Sequence, residues 1–206
     1  MKTHALIRTH ALILAGLTAL AAPAAAQMVD GNGNGVSSAY TRISITDCDV
    51  IEGQPETGDF VWRCEGHDGI PVWVAERHLR MYVSYGEKGR DEMAWQQTPI
   101  GFNGIPDPFT IEWRLAKYDM VHAAMGQDYP EEYDSPRPFA TVLRWNVTDP
   151  ETSENLQYLV VTNLGEGRTC HTAYVNSRQE NANVLARETS NITADFNCEL
   201  DEVWVR

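Results

Sequence analysis

The segment that decides the fold is residues 139–147, Phe-Ala-Thr-Val-Leu-Arg-Trp-Asn-Val. Leu143, Trp145 and Val147 share one face of an extended chain, and Arg144 lies on the opposite face. Alternation of period two among β-branched and aromatic residues is typical of a strand. The segment therefore predicts a strand that turns one face towards a hydrophobic core.

Two strands and a helix are predicted after this segment. The strands cover residues 158–164 and 169–175, and the first is apolar on both faces, as in a central strand. Ser177 and Glu180 match a capping box at the start of a helix. The apolar stripe of that helix recurs at steps of three and four residues: Ala182, Leu185, Thr189, Ile192 and Phe196.

The N-terminal half contains five more predicted strands, at residues 40–45, 60–64, 70–75, 79–85 and 109–115. The first four are close together in sequence, so they predict an antiparallel meander over residues 40–85. The long segments 86–108 and 117–137 interrupt the pattern, and loops of such length often carry function. Together the patterns predict an α+β fold, a mostly antiparallel bent sheet or small β-sandwich of about eight strands with one C-terminal helix packed on it.

The first residues have the features of an export signal. Lys2 and Arg8 precede an apolar run at residues 11–22, and small residues ending at Ala26 provide a cleavage site before Gln27. The run is too short for a transmembrane helix. The domain organisation expected from these features is a signal peptide at 1–26, a flexible leader at 27–38 and a single globular disulfide-bonded domain at 39–206.

The charge balance is strongly acidic. The 206-residue chain has a formal net charge of −13, and removal of Lys2 and Arg8 with the signal peptide would make it −15. Such a charge disfavours nucleic acid and anionic membranes as partners. The expected partner is an unidentified protein or a small anionic ligand, with no membrane span.

Four cysteines lie in the exported part, at positions 48, 64, 170 and 198. An even number in an oxidising compartment predicts two disulfides, for which three connectivities exist. We favour Cys48–Cys64 and Cys170–Cys198, because each pair brackets one local supersecondary unit. A zinc site is disfavoured because no two cysteines are closely spaced. We expect no metal and no other cofactor.

A calcium-loop match near the N-terminus is incomplete. Residues 30–35 have acidic or amide side chains at the first, third and fifth positions and glycine at the sixth. The twelfth position, where the calcium loop needs a bidentate glutamate, is Thr41. We therefore interpret these residues as part of the leader.

Several short motifs resemble a group of small exported bacterial proteins that has no assigned activity. They are Trp-Arg-Cys at 62–64, Ile-Pro-Val-Trp-Val at 70–74, Val-Ser-Tyr-Gly at 83–86, Glu-Trp-Arg-Leu at 112–115, Pro-Phe-Ala-Thr-Val-Leu-Arg-Trp at 138–145 and Cys-His-Thr-Ala-Tyr-Val at 170–175. The resemblance covers most of residues 40–198. It implies a shared fold and disulfide pattern, and it transfers no catalytic residue.

Arginine adjoins tryptophan on three predicted strands, at Arg63, Arg114 and Arg144. Each tryptophan is expected to point inwards, so each arginine points outwards. If the strands are neighbours in one sheet, these arginines form a patch that binds carboxylate or phosphate. The alternative is that they pair with acids on adjacent strands, such as Glu112 or Glu76.

The function predicted from these features is that of an exported binding or interaction module, periplasmic or secreted and without enzymatic activity. No Gly-x-Ser-x-Gly nucleophile motif is present, and the cysteines are expected to be oxidised. The alternative is a cell-envelope hydrolase with a site at the 86–108 loop.

The mature protein should begin at Gln27 or within a few residues of it. Intact-mass measurement of protein recovered from the periplasm tests this directly. A mass that still includes residues 1–26 would contradict the expected export signal.

Overall fold

The computed structural model describes residues 35–117 and 135–206. The expected signal peptide, most of the leader and most of the 117–137 segment lie outside these residues. Within them there are eleven strands and one α-helix. In chain order these are β1 Ser37–Ile43, β2 Asp49–Gln54, β3 Asp59–Glu65, β4 Pro71–Arg77, β5 Arg80–Tyr85, β6 Phe102–Gly104, β7 Phe109–Ala116, β8 Arg137–Thr148, β9 Asn155–Asn163, β10 Cys170–Asn176, α1 Ala182–Ser190 and β11 Trp204–Val205.

The strands form two sheets. The larger sheet has seven strands in the order β1-β7-β8-β9-β10-β11, and β6 extends it by pairing with the far end of β8. The smaller sheet has four strands in the order β2-β3-β4-β5. All pairs are antiparallel except β10 with β11. The predicted α+β sandwich with a C-terminal helix is confirmed, with more strands than the eight expected.

The two sheets enclose the main hydrophobic core. Trp113 of β7 and Trp145 of β8 are fully buried in it, and Val72 and Val83 of the smaller sheet pack in the same cluster. Alternation therefore identified the inward faces of these strands correctly. Fully burying side chains of this kind contributes about 1.5–3 kcal/mol each, so this layer dominates the stability of the fold.

The outer face of the larger sheet is covered by α1. Ala182 and Ala186 of the helix pack with Val142, Val161 and Val175 of the sheet in a second apolar cluster. Small alanine side chains at the contact allow the helix to approach the sheet closely. The nine-residue helix would be marginal alone in water, so its packing on the sheet stabilises it.

The outer face of the smaller sheet is covered without a helix. Trp95, which lies in a short 3₁₀ turn at Met93–Gln96, packs on Val61 and Ala75 and is 8% exposed. Trp73 and Tyr82 border this cluster. The indole of Trp95 thus covers this face, as α1 covers the outer face of the larger sheet.

The predicted meander over residues 40–85 is wrong in its first strand. β1 pairs with β7 in the larger sheet, with Ser37 opposite Leu115 and Ile43 opposite Phe109. The meander begins instead at β2, where the sequence pattern predicted no strand. The β2 residues are all exposed and include Gly53, so they lack the alternation that marks a half-buried strand.

The predicted start and length of the helix also need correction. The N-cap residue is Asn181, not Ser177, and α1 ends at Ser190. Ile192 and Phe196 therefore lie beyond the helix, where Ile192 is exposed and Phe196 is buried against Trp204. The apolar stripe continued past the helix because the next segment also packs onto the domain.

Both predicted disulfides are confirmed. Cys48 pairs with Cys64, with their Cα atoms 4.6 Å apart, and Cys170 pairs with Cys198 at 5.9 Å. The second bond joins the start of β10 to the chain that follows α1. No helix within residues 35–117 and 135–206 is long and apolar enough to cross a membrane.

Replacing Cys170 and Cys198 together with serine should lower the free energy of unfolding by about 3–4 kcal/mol, because the unfolded chain loses a long cross-link. Urea unfolding measures this loss. Hydrogen exchange should accelerate first in α1 and the chain after it. The matched control is Cys48→Ser with Cys64→Ser, which should leave exchange in α1 unchanged. Equal acceleration in both double variants would contradict the local role assigned to Cys170–Cys198.

Candidate anion-binding site

The three arginines predicted to form a patch do not lie in one sheet. Arg63 is on β3 of the smaller sheet, whereas Arg114 on β7 and Arg144 on β8 belong to the larger one. The hypothesis required neighbouring strands, so this part of it is wrong. The three side chains therefore have different surroundings.

Arg114 is buried, with 4% of its surface exposed. Its guanidinium donates to Ser190 Oγ at 3.2 Å and to Asn191 Oδ1 at 3.1 Å, both at the end of α1. It also donates to Ser38 of β1 and lies 3.7 Å from Glu112. The outward face of β7 is therefore not a free surface, because the end of α1 covers it, and Arg114 joins these elements as a structural cation.

Arg144 lies further along β8, beyond that contact. It is half-buried, and its Nη1 donates to Gln157 Oε1 at 3.1 Å. Ala140 is the residue of β8 opposite Arg114, so Arg144 is four positions along the strand from that point. At about 3.3 Å per residue the backbone separation is roughly 13 Å. Because the Arg114 guanidinium is engaged by the end of α1, the two arginines do not form one site.

Arg63 belongs to a different arrangement, on the outer face of the smaller sheet. Three guanidinium groups alternate there with three aromatic rings. We call this arrangement the arginine–aromatic series, and its members in spatial order are Tyr82, Arg77, Trp95, Arg90, Trp73 and Arg63. Arg77 has the closest contacts, with its Cζ 4.5 Å from the Tyr82 ring centroid and 4.7 Å from that of Trp95.

The remaining contacts in the series are longer. Arg90 lies 5.8 Å from the Trp73 centroid and 5.9 Å from that of Trp95, and Arg63 lies 5.8 Å from Trp73. All are within the range of cation–π attraction. Cation–π attraction uses no N–H donor, so the guanidinium N–H groups can still donate hydrogen bonds.

Strand alternation and one loop place these side chains. Trp73 and Arg77 are on β4 at positions that point away from the inner core, and Arg90 and Trp95 come from the turns after β5. The turn passes close to the sheet at Gly89, where an added Cβ would lie 2.5 Å from Trp73 Cδ1. Glycine at this position therefore allows Arg90 to reach the series.

Carboxylates already approach two of the three guanidinium groups. Arg90 Nη2 donates to Glu52 Oε1 at 2.6 Å, and Glu87 Oε1 lies 3.6 Å from Arg63 Nη2. The side chains of Glu52 and Glu87 are 57% and 78% exposed. Exposed ion pairs contribute at most about 1 kcal/mol, so another carboxylate or phosphate can displace them.

Arg77 is held differently. Its Nη2 donates to the carbonyl oxygen of Trp95 at 3.1 Å, and its buried Nε has no acceptor among the described residues. A buried donor without an acceptor is costly, and such groups are rare outside functional or strained sites.

A groove of about 400 Å³ lies beside the series. Its lining residues are Trp73, Glu87, Lys88, Arg90, Asp91 and Trp95. Restrained guanidinium edges suit planar, bidentate recognition of carboxylate or phosphate, for which arginine is the preferred residue.

The sequence pattern did not indicate Arg77, Arg90 and Trp95 as members of this site. An outward-facing tryptophan, Trp73, was visible from the alternation of β4. Arg77, four residues after Trp73 and on the same face of the strand, was a second available signal. Arg90 and Trp95 come from a loop without regular periodicity, so no local pattern could place them on the sheet.

The buried histidine of the core does not suit proton transfer. His171 is 1% exposed, and burial lowers its pKa to about 3. Its Nδ1 lies 3.1 Å from the hydroxyl of Tyr174, whose pKa burial raises. A general base works best with a pKa near the operating pH, so the surroundings of His171 favour a packing role.

Within residues 35–117 and 135–206, no three His, Cys, Asp or Glu side chains group as a metal site requires. Comparisons with protein-family models, curated proteins and solved structures find no match for this chain. The resemblance to small exported bacterial proteins therefore stays an expectation.

Replacing Arg114 with alanine should lower the free energy of unfolding by about 3 kcal/mol, because buried polar partners lose their donor. Replacing Arg144 with alanine should change it by no more than about 0.5 kcal/mol, since that side chain lies at the surface. Urea unfolding of both variants provides the comparison. Equal, small losses would show that Arg114 is not the structural cation described above.

Proposed function

We propose that this protein is an exported, non-enzymatic binding module that captures a small anionic ligand on the outer face of its smaller sheet. The observation that carries the proposal is the arginine–aromatic series. Two of its three guanidinium groups lie between two aromatic rings and the third contacts one ring, on a chain whose net charge is −13.

The rings reduce the cost of binding by restraining the cations. A free arginine loses rotamer freedom of up to about 2 kcal/mol when it is fixed on a ligand. Arg77 is already held between Tyr82 and Trp95, so less of that cost remains. The exposed carboxylates of Glu52 and Glu87 occupy the positions beside Arg90 and Arg63 that ligand oxygens would take.

The proposed location is the periplasm or the extracellular space. Two disulfides and no free cysteine among the described residues are consistent with an oxidising compartment. The features of an export signal in residues 1–26 support the same location.

The 86–108 loop supports binding more than hydrolysis. It provides Arg90 and Trp95 to the series. The two carboxylate oxygens of its buried acid, Glu92, accept hydrogen bonds from the backbone N–H groups of Gly167 and Thr169. Glu92 therefore already has a structural role.

Citrate, with three carboxylates, is a suitable first probe, and isothermal titration calorimetry measures its affinity. Arg90→Gln and Arg77→Gln should each weaken citrate binding about tenfold, equivalent to about 1.4 kcal/mol for one charged contact. Added salt should weaken it as well, because the site is at the surface.

Arg144→Gln is the matched control, since it removes an arginine from the other sheet and should leave the affinity unchanged. Each variant is first checked for an unchanged melting temperature. Failure of the unmodified protein to bind citrate or inorganic phosphate contradicts the proposal. So does equal weakening by Arg144→Gln, which would indicate non-specific attraction of anions.

A further inference from the structure

A second cavity, of about 330 Å³, opens at one end of the sandwich. It lies where the turn after β5 meets the turn between β9 and β10. Ile70, Tyr85, Pro138 and Leu164 give it a mostly apolar wall. This volume is within the range of small-molecule sites, at its lower end.

Hydrogen bonds between the two turns hold the cavity in shape. The Glu92 side chain accepts from Gly167 N–H at 2.7 Å and from Thr169 N–H at 2.9 Å. Ala94 N–H donates to the carbonyl oxygen of Thr169 at 2.9 Å. Cys170, next in the chain, is fixed by its disulfide to Cys198. The walls are therefore formed before any ligand arrives, which lowers the cost of binding.

The charged groups at the cavity are mainly acidic. Among the described residues that line it, Lys88 is the one cation, whereas Glu87, Glu92 and Glu166 are acids. Both oxygens of Glu92 are engaged by backbone N–H groups, so the carboxylates at the rim are those of Glu87 and Glu166. Their side chains are 78% and 77% exposed.

The rim already holds an ammonium group. Lys88 Nζ donates to Glu166 Oε1, and this bond raises the pKa of Lys88 and lowers that of Glu166. The lysine side chain is 67% exposed, so it gains little burial from the contact. A ligand amine with an apolar body could make the same contact and also bury that body between Tyr85 and Leu164.

We propose that this cavity binds a small molecule with an apolar body and a primary ammonium group. The body fills the space lined by Ile70, Tyr85, Pro138 and Leu164, and the ammonium group replaces Lys88 on Glu166. This site adjoins the groove beside the arginine–aromatic series, with which it shares the lining residues Glu87 and Lys88, and it prefers the opposite charge.

Three probes that share one phenyl body separate the contributions of body and head group: 4-phenylbutylamine, 4-phenylbutanol and 4-phenylbutyrate. Isothermal titration calorimetry should show the amine binding about two- to fivefold more tightly than the alcohol, as expected for one exposed ion pair. The butyrate should bind most weakly. Equal affinities for all three, no binding of the amine, or tightest binding of the butyrate would overturn the proposal.

Substitutions at the rim test the head-group contact. Glu166→Gln should lower the affinity for the amine to that for the alcohol and leave the affinity for the alcohol unchanged. Glu154→Gln is the matched control, because that exposed acid pairs with Arg178 away from the cavity. Lys88→Gln should strengthen amine binding by removing the competing ammonium group. Weaker amine binding in this variant would assign recognition to Lys88 and overturn the proposal.

Filling the cavity tests the location of the apolar body. Leu164→Trp should abolish binding of the amine and the alcohol together. Ile70→Phe is a second filling variant, and a melting temperature close to that of the unmodified protein is required of whichever variant is used. Retained binding in a folded, filled variant would place the ligand elsewhere.

Arg90→Gln should leave amine binding unchanged, so failure of either proposed site is distinguishable from failure of the other.

Discussion

Burial of the larger sheet on both faces is the constraint on which the rest of the structure depends. Its inner face packs against the smaller sheet around Trp113 and Trp145, and its outer face packs against α1. A sheet with two apolar faces needs two covering layers. The short helix needs the sheet in return, and the Cys170–Cys198 disulfide secures the chain that follows it. The compact C-terminal third therefore fixes the order of the layers.

The two outer faces of the sandwich are covered in different ways. On the larger sheet a helix excludes water, and Arg114 beneath its end must satisfy its donors inside the protein. On the smaller sheet one indole and a few arginines cover the surface, so guanidinium edges remain close to solvent. The same dipeptide pattern, tryptophan next to arginine, thus yields a structural cation on one face and a candidate binding cation on the other.

Local patterns predicted the inward faces, the disulfides and the helix-on-sheet packing, because these depend on side-chain periodicity and short sequence separations. Long-range pairing was not predictable in this way. β1 pairs with β7, about 70 residues away, although a hairpin with its neighbour was the simpler local choice. β2 has no buried residue, so hydrophobic periodicity could not indicate it. The covering layer over Arg114 likewise depends on where α1 ends, which no feature near Arg114 encodes.

The segment after β5 shows how one loop combines structural and candidate binding roles. Gly89 allows close approach to Trp73, Glu92 holds the turn between β9 and β10, and Trp95 covers the smaller sheet. These positions fix the loop to both sheets. Between them, Lys88 and Arg90 are exposed and lie at the proposed sites. Charged groups held by a rigid frame lose little entropy on binding. The length of the loop is therefore explained by its structural contacts, whereas its exposed charges can vary without unfolding the domain.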